Sequence, residues 1–90
     1  MRRANRRDEV HGDIVSGLRT IGCIVIDTSR VGGGAPDAFV WHRRCGWRAM
    51  EFKTPKKGRL SDVQKELHAQ VPIDIVTSLK EALTIVGVST

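Results

Sequence analysis

Two carboxylates and one ammonium fall where a short chain's strands ought to supply core residues. Asp37 follows Pro36 at the head of the apolar run AFVWH, and Glu51 and Lys53 flank Phe52 at the end of WRAMEFK. Strand interiors are depleted in such groups, and burying them unpaired costs several kcal/mol each, roughly. Their chemistry is that of a hard cation site. Two carboxylates held together repel, a divalent ion relieves the repulsion, and oxygen donors suit magnesium or manganese. A neighbouring lysine can hold a water beside such an ion or stabilise charge developing on a phosphate. The competing reading is a surface salt bridge between Glu51 and Lys53 and nothing more.

A hairpin would bring these groups together. The turn-like RRCG separates AFVWH from WRAMEFK, so the two runs read as antiparallel strands. Side chains alternate across a strand, which puts Glu51 and Lys53 on one face and Met50 and Phe52 on the other. The start of one antiparallel strand lies beside the end of its partner, so Asp37 comes near Glu51. Upstream, CIVIDTS reads as a further strand, and RVGGGAPD as the loop that leads into Asp37. Its Gly32–Gly34 run is no phosphate P-loop, because no G-K-[ST] follows. It lets backbone approach DNA or frees a tight turn before Asp37.

The flanks read as helices. From Arg7 to Gly22, Val10, Ile14, Leu18 and Ile21 share one helical face, and Gly22 fits the stop. Gly12 and Gly17 weaken that helix, so it must lean on tertiary packing. After the basic loop TPKKGRL, Ser61 and Gln64 form an S-x-x-Q capping box for a helix ending near Gln70. IDIVT reads as a fourth strand. Ser78 and Glu81 predict another capping box, opening a last helix with Leu79, Ala82, Leu83 and Val86 apolar. The order α-β-β-β-α-β-α predicts one α/β domain over residues 1–90, a mixed sheet flanked by helices, with a basic arm over 1–6.

Ninety residues bury a modest fraction of their surface, so a dimer partner would add stability. The formal charge is +5, with basic clusters at Arg2, Arg3, Arg6 and Arg7, at Arg43 and Arg44, and at Lys56, Lys57 and Arg59. Three such clusters favour a polyanionic partner, by counterion release and steering. No apolar stretch approaches a membrane span and the basic N-terminus lacks a signal peptide's apolar region, so the expected location is cytoplasmic. Cys23 and Cys45 show no metal-ligand spacing and are expected reduced. Trp41 and Trp47 lie on neighbouring strands, where cross-strand packing or a dimer contact is favoured over base stacking. His42 and His68 have no partner spacing, and Asp27 is expected to be structural.

Pro36-Asp37 followed by Glu51-Phe52-Lys53 matches the PD-(D/E)xK pattern. With SRVGGGAPD, MEFK, LSDVQ and SLKEAL around it, the chain from about Arg6 to Val86 resembles the virus-type replication-repair nuclease (VRR-NUC) family. It looks most like the small stand-alone versions encoded by phages. The resemblance implies a restriction-endonuclease-like core and metal-dependent hydrolysis of DNA phosphodiesters. It also implies a homodimer acting on branched DNA such as Holliday junctions, in a bacterial or phage-infected cell. Carried over, Asp37, Glu51 and the Phe52 carbonyl are the expected ligands of Mg2+ or Mn2+, Lys53 orients the attacking water, and Gln64 supports the site. Gln64 is equally the capping partner of Ser61, and the two roles are compatible. Arg6, Arg7, Ser29, Arg30, Gly33, Gly34, Lys56, Lys57 and Arg59 are the expected nucleic-acid contacts.

The chain departs from the family on its first helix, where members usually carry a glutamate that reaches the metal. Glu9, His11 and Asp13 compete for that role. Helix geometry keeps His11 on the apolar face and turns Glu9 and Asp13 toward solvent. His11 is therefore the expected helix ligand, and an imidazole there would favour manganese. A non-cleaving DNA-binding module of the same fold is the alternative that this departure motivates.

Overall fold

The computed structural model describes residues 6–54 and 60–88, with side chains from residue 11 onward. It is an α/β fold in which three helices accompany a mixed four-stranded sheet. The elements are α1 (Arg6–Thr20), β1 (Ile24–Asp27), β2 (Ala38–His42), β3 (Gly46–Phe52), α2 (Asp62–Gln70), β4 (Asp74–Val76) and α3 (Leu79–Val86). The sheet order is β1-β2-β3-β4, with β1–β2 and β2–β3 antiparallel and β3–β4 parallel. Among the described residues no helix is long and apolar enough to cross a membrane.

Ile14, Val15 and Leu18 form the buried stripe of α1. The helix stops where Gly22 takes φ 94°. There the Gly22 N–H reaches the Arg19 carbonyl at 3.1 Å and the Cys23 N–H reaches Leu18 at 3.0 Å, so the last carbonyls keep donors. Gly17 lies where any side chain would collide with Leu79, so its cost in helix propensity is matched by a close α1–α3 contact. Between β2 and β3, Arg43, Arg44 and Cys45 make a three-residue turn that closes at the His42–Gly46 pair.

The register sorts every strand residue to a face. Asp27, Ala38, Met50 and Asp74 form one transverse row, and Val25, Val40 and Arg48 another on the same side. Those rows, with Phe52 and Val76, point at α1 and α3 and make the core, where Ala38, Val40, Met50 and Val76 are fully buried. The intervening rows, Ile26–Phe39–Ala49, Ile24–Trp41–Trp47 and Glu51–Ile75, point the other way.

The α2 cap is a complete capping box: the Ser61 side chain accepts from the Gln64 N–H, and the Gln64 side chain accepts from the Ser61 N–H. The α3 cap is only half of the expected box. Ser78 Oγ accepts from the Glu81 N–H at 3.1 Å, but Glu81 Oε1 takes its protons from the N–H and hydroxyl of Thr77, one residue earlier. Those bonds hold the Glu81 carboxyl below the usual glutamate range.

Candidate active site

Continuing the β2–β3 register one step past Ala38–Met50 sets Asp37 opposite Glu51, with both side chains on the face away from α1. Asp37 Oδ2 accepts the Phe52 N–H at 2.8 Å, which ties the first acid to the strand that carries the second. A strand residue turns its N–H and C=O to the same side, so the Phe52 carbonyl also faces the Asp37 end of β2. The next β2-side residue in that register is Pro36, which has no N–H to give it. The proline of the Pro-Asp dipeptide thus spares a carbonyl oxygen beside the acids. The Thr28 N–H to the Asp37 carbonyl (2.8 Å) and the Thr28 hydroxyl to the Pro36 carbonyl (2.7 Å) fix the dipeptide from the other side.

Glu51 is 0% exposed, although it projects from the face that the helices of the core leave uncovered. The reason is Gln64, which reaches down from α2 and donates Nε2 to Glu51 Oε2 at 2.8 Å. Lys53, two residues along and so on the same face, sets Nζ 3.4 Å from Glu51 Oε2 and 3.3 Å from Gln64 Oε1. Gln64 therefore serves three partners at once: the carboxylate, the ammonium and the Ser61 N–H of its own helix cap. Glu51 Oε1 is buried with no hydrogen-bond partner. Burial pushes the Glu51 carboxyl above its ordinary range, the Asp37 charge pushes it further, and the Lys53 ammonium pulls it partly back.

A cleft of about 480 Å³ opens onto this group, lined by Ser29, Gly32, Gly34, Asp37, Lys53 and Gln64 among others. The glycine loop forms one wall and the start of α2 the other. Gly34 has φ 82°, and an added Cβ would come within 2.5 Å of Val63 Cγ1, so no side chain fits between loop and helix. Of the expected nucleic-acid contacts, Ser29 and Gly34 line the cleft, whereas Arg30 and Gly33 are exposed and do not. Arg6 and Arg7 lie in α1 with side chains outside the described set, and Lys56, Lys57 and Arg59 lie outside the described residues.

His11 is not brought to the acids. Its Nε2 sits 3.0 Å from Asp27 Oδ2, and its ring meets Phe52 edge to face at 4.9 Å between centroids. Phe52 and Glu51 are neighbours on one strand, so their side chains leave the sheet on opposite faces, and α1 lies on the Phe52 face. The expectation of His11 as the helix ligand is corrected on that ground, and with it the inferred preference for manganese. Asp27 also accepts from the Ser29 hydroxyl (2.6 Å) and N–H (2.9 Å), bonds that lower its pKa together with the His11 contact. This His11–Asp27–Ser29 link, which fastens α1 to the glycine loop, carried no spacing signal; only the β1–β2 register reveals it. No group of three or more His, Cys, Asp or Glu side chains that could hold a metal occurs among the described residues.

Comparison with protein-family models, with curated proteins and with solved structures finds no match to this chain.

Proposed function

We propose that the protein is a divalent-metal-dependent endodeoxyribonuclease of the PD-(D/E)xK type, similar to the virus-type replication-repair class. The observation that carries this reading is Glu51 Oε1, a carboxylate oxygen buried without a partner beside a second carboxylate. Folding does not leave an acceptor in that state without use, because the uncompensated group costs about 1–3 kcal/mol. The donors fit a hard cation: Asp37 and Glu51 supply anionic oxygens and Phe52 a carbonyl, while nitrogen and sulfur ligands are not part of the set. These three residues would hold Mg2+ or Mn2+. When bound, such an ion lowers the pKa of water and neutralises phosphate charge.

The remaining work falls to the chain's own groups. Lys53, held between Glu51 and Gln64, orients the attacking water and faces the charge that builds on the phosphate. Gln64 keeps the acid and the ammonium in register while anchoring the α2 N-terminus, whose free N–H groups and dipole favour an anion in the cleft. The glycine loop gives a backbone-lined wall along which a phosphodiester can pass closely. Hydrolysis then adds water across one P–O bond, leaving a phosphate and a hydroxyl. The net charge of +5 supplies the long-range attraction. The branched or Holliday-junction substrate is the choice implied by the sequence resemblance.

A non-cleaving DNA-binding module is the second reading, favoured by one observation: among the described side chains, α1 brings no carboxylate to Asp37 and Glu51. Cleavage of branched and linear DNA in Mn2+ or Mg2+ separates the two. The nuclease loses about a hundredfold or more in rate with Lys53→Ala, while fluorescence anisotropy shows DNA binding retained. Wild-type protein that binds DNA but cuts none of these substrates in either ion establishes the module instead.

A further inference from the structure

The sheet has one covered face and one open one, and the open face is apolar. Ile24 and Trp47 are 54% and 55% exposed, Ile26 and Ile75 are about half exposed, and Phe39 is just over a third exposed. The register sets them side by side in two adjacent rows, Ile26–Phe39–Ala49 and Ile24–Trp41–Trp47, with Ile75 beyond. No charged side chain interrupts those two rows. Together they present on the order of 500 Å² of apolar surface, at the upper end of what a monomer normally shows water.

This chain offers nothing to cover the face. Neither α1 nor α3 is on that side, and α2 covers only the end over Glu51. Residues 1–5, 55–59 and 89–90 are MRRAN, PKKGR and ST, rich in cations and with Met1 as their one large apolar side chain. A nucleic acid is a poor occupant as well, since the rows lack the cations that a phosphate backbone requires. For a molecule of net charge +5, like-charge repulsion leaves few surfaces where two copies can meet, and an uncharged face is the one that adds no repulsion. The outer edge of β1 is also partly closed to strand addition, because the Arg19 guanidinium donates to the Val25 carbonyl at 3.0 Å.

We propose that a second copy of this chain packs on this face, sheet against sheet about a two-fold axis, with Trp47 and Ile24 in the buried centre. The apolar rows with a polar rim approach the roughly 800 Å² that each partner contributes to a stable interface. An isologous contact also needs only one self-complementary patch. The inference is independent of the proposed chemistry, although it sets Asp37, Glu51 and Lys53 at the end of the interface face.

Sedimentation equilibrium from micromolar to near-millimolar protein tests it. The wild type sediments at twice the 10.0 kDa chain mass, and dilution into monomer reddens its tryptophan emission as Trp47 meets water. Trp47→Glu and Ile24→Glu, each at an already half-exposed position, keep the folded circular dichroism spectrum and weaken the dimer by roughly thirtyfold or more. A wild type that stays monomeric throughout overturns the proposal and hands the face to another protein. Folded variants that dimerise like the wild type overturn it too. If both variants fail to fold, the wild-type emission decides: no reddening on dilution rejects the interface. Loss of DNA binding by Trp47→Phe in a monomeric protein would mark a base-stacking platform instead.

Discussion

Replacing Glu51 by glutamine removes a charge that the fold buries without compensating it. The side chain is 0% exposed, Oε1 has no hydrogen-bond partner, and Asp37 adds its own negative charge alongside. Relieving an uncompensated buried acceptor of this kind is worth about 1–3 kcal/mol. Glutamine keeps an oxygen for Gln64 Nε2 and turns an N–H2 toward Asp37, so two acceptors become a donor and an acceptor. The lost Lys53 pairing, already long at 3.4 Å, takes back about 1 kcal/mol. In chelator at neutral pH, Glu51→Gln is therefore expected to be more stable than the wild type by about 1–2 kcal/mol, or about 4–15 °C in Tm for a domain of this size.

The pH dependence has a definite sign. Burial and Asp37 raise the folded-state pKa of Glu51 above its unfolded value, so the folded protein holds this proton more tightly. The stability from that group is complete below the unfolded pKa and is lost as pH rises through the folded one. The advantage of Glu51→Gln over the wild type thus grows with pH upward from the ordinary glutamate range, then levels off. Metal reverses the ranking. At a hundredfold excess over its Kd, a divalent ion adds about 2.7 kcal/mol to the wild type, and Glu51→Gln gains little. Thermal melts across pH, in chelator and in Mn2+ or Mg2+, read all three effects. A variant less stable than the wild type in chelator refutes the buried-charge reasoning. An undiminished rise in Tm with metal in the variant refutes Glu51 as a ligand.

Two further substitutions probe how the site is assembled. Gly34→Ala puts a Cβ at φ 82° against Val63, and is expected to cost about 1–2 kcal/mol by denaturant melt and to slow cleavage. Adding Val63→Ala relieves the collision but not the backbone strain, so only part of the loss returns; complete recovery would locate the whole effect in the collision. His11→Asn breaks the Asp27 bond and the contact with the Phe52 ring, costing about 1–2 kcal/mol. It is expected to leave the metal-induced rise in Tm unchanged, and loss of that rise would restore His11 to the ligand set.

What could be read from the chain was local chemistry. The hairpin was legible because a short turn separates two apolar runs, and that alone brings Asp37 opposite Glu51. The α2 cap was legible because Ser61 and Gln64 stand at fixed spacing. The same spacing misassigned half of the α3 cap, because it cannot tell which of two adjacent N–H groups Glu81 will take. His11 exposes a deeper limit. Helical periodicity identifies an apolar face but not which side of the sheet it will cover, and that choice separates the Phe52 side from the Glu51 side. The open face was hidden for a related reason. Runs such as CIVID and AFVW are apolar at consecutive positions, the pattern of strands covered on both sides, and no residue states that the second cover is absent from the fold.

The same alternation gives the two faces their opposite characters. On the covered face every row ends in packing or in a satisfied pair, as with Arg48 and Asp74, whose guanidinium and carboxylate meet at 2.8 and 3.0 Å. On the other face the rows end in a buried acid lacking a proton donor at one end and exposed isoleucine and tryptophan at the other. Both are unfavourable in an isolated chain, and they are unfavourable in different ways: an electrostatic deficit calls for a cation, a hydrophobic one for apolar cover. One partner cannot meet both needs. If metal raises Tm without changing sedimentation, and Trp47→Glu changes sedimentation without altering the metal-induced rise, the two deficits are separate. They would then belong to two binding events on one surface of a single sheet.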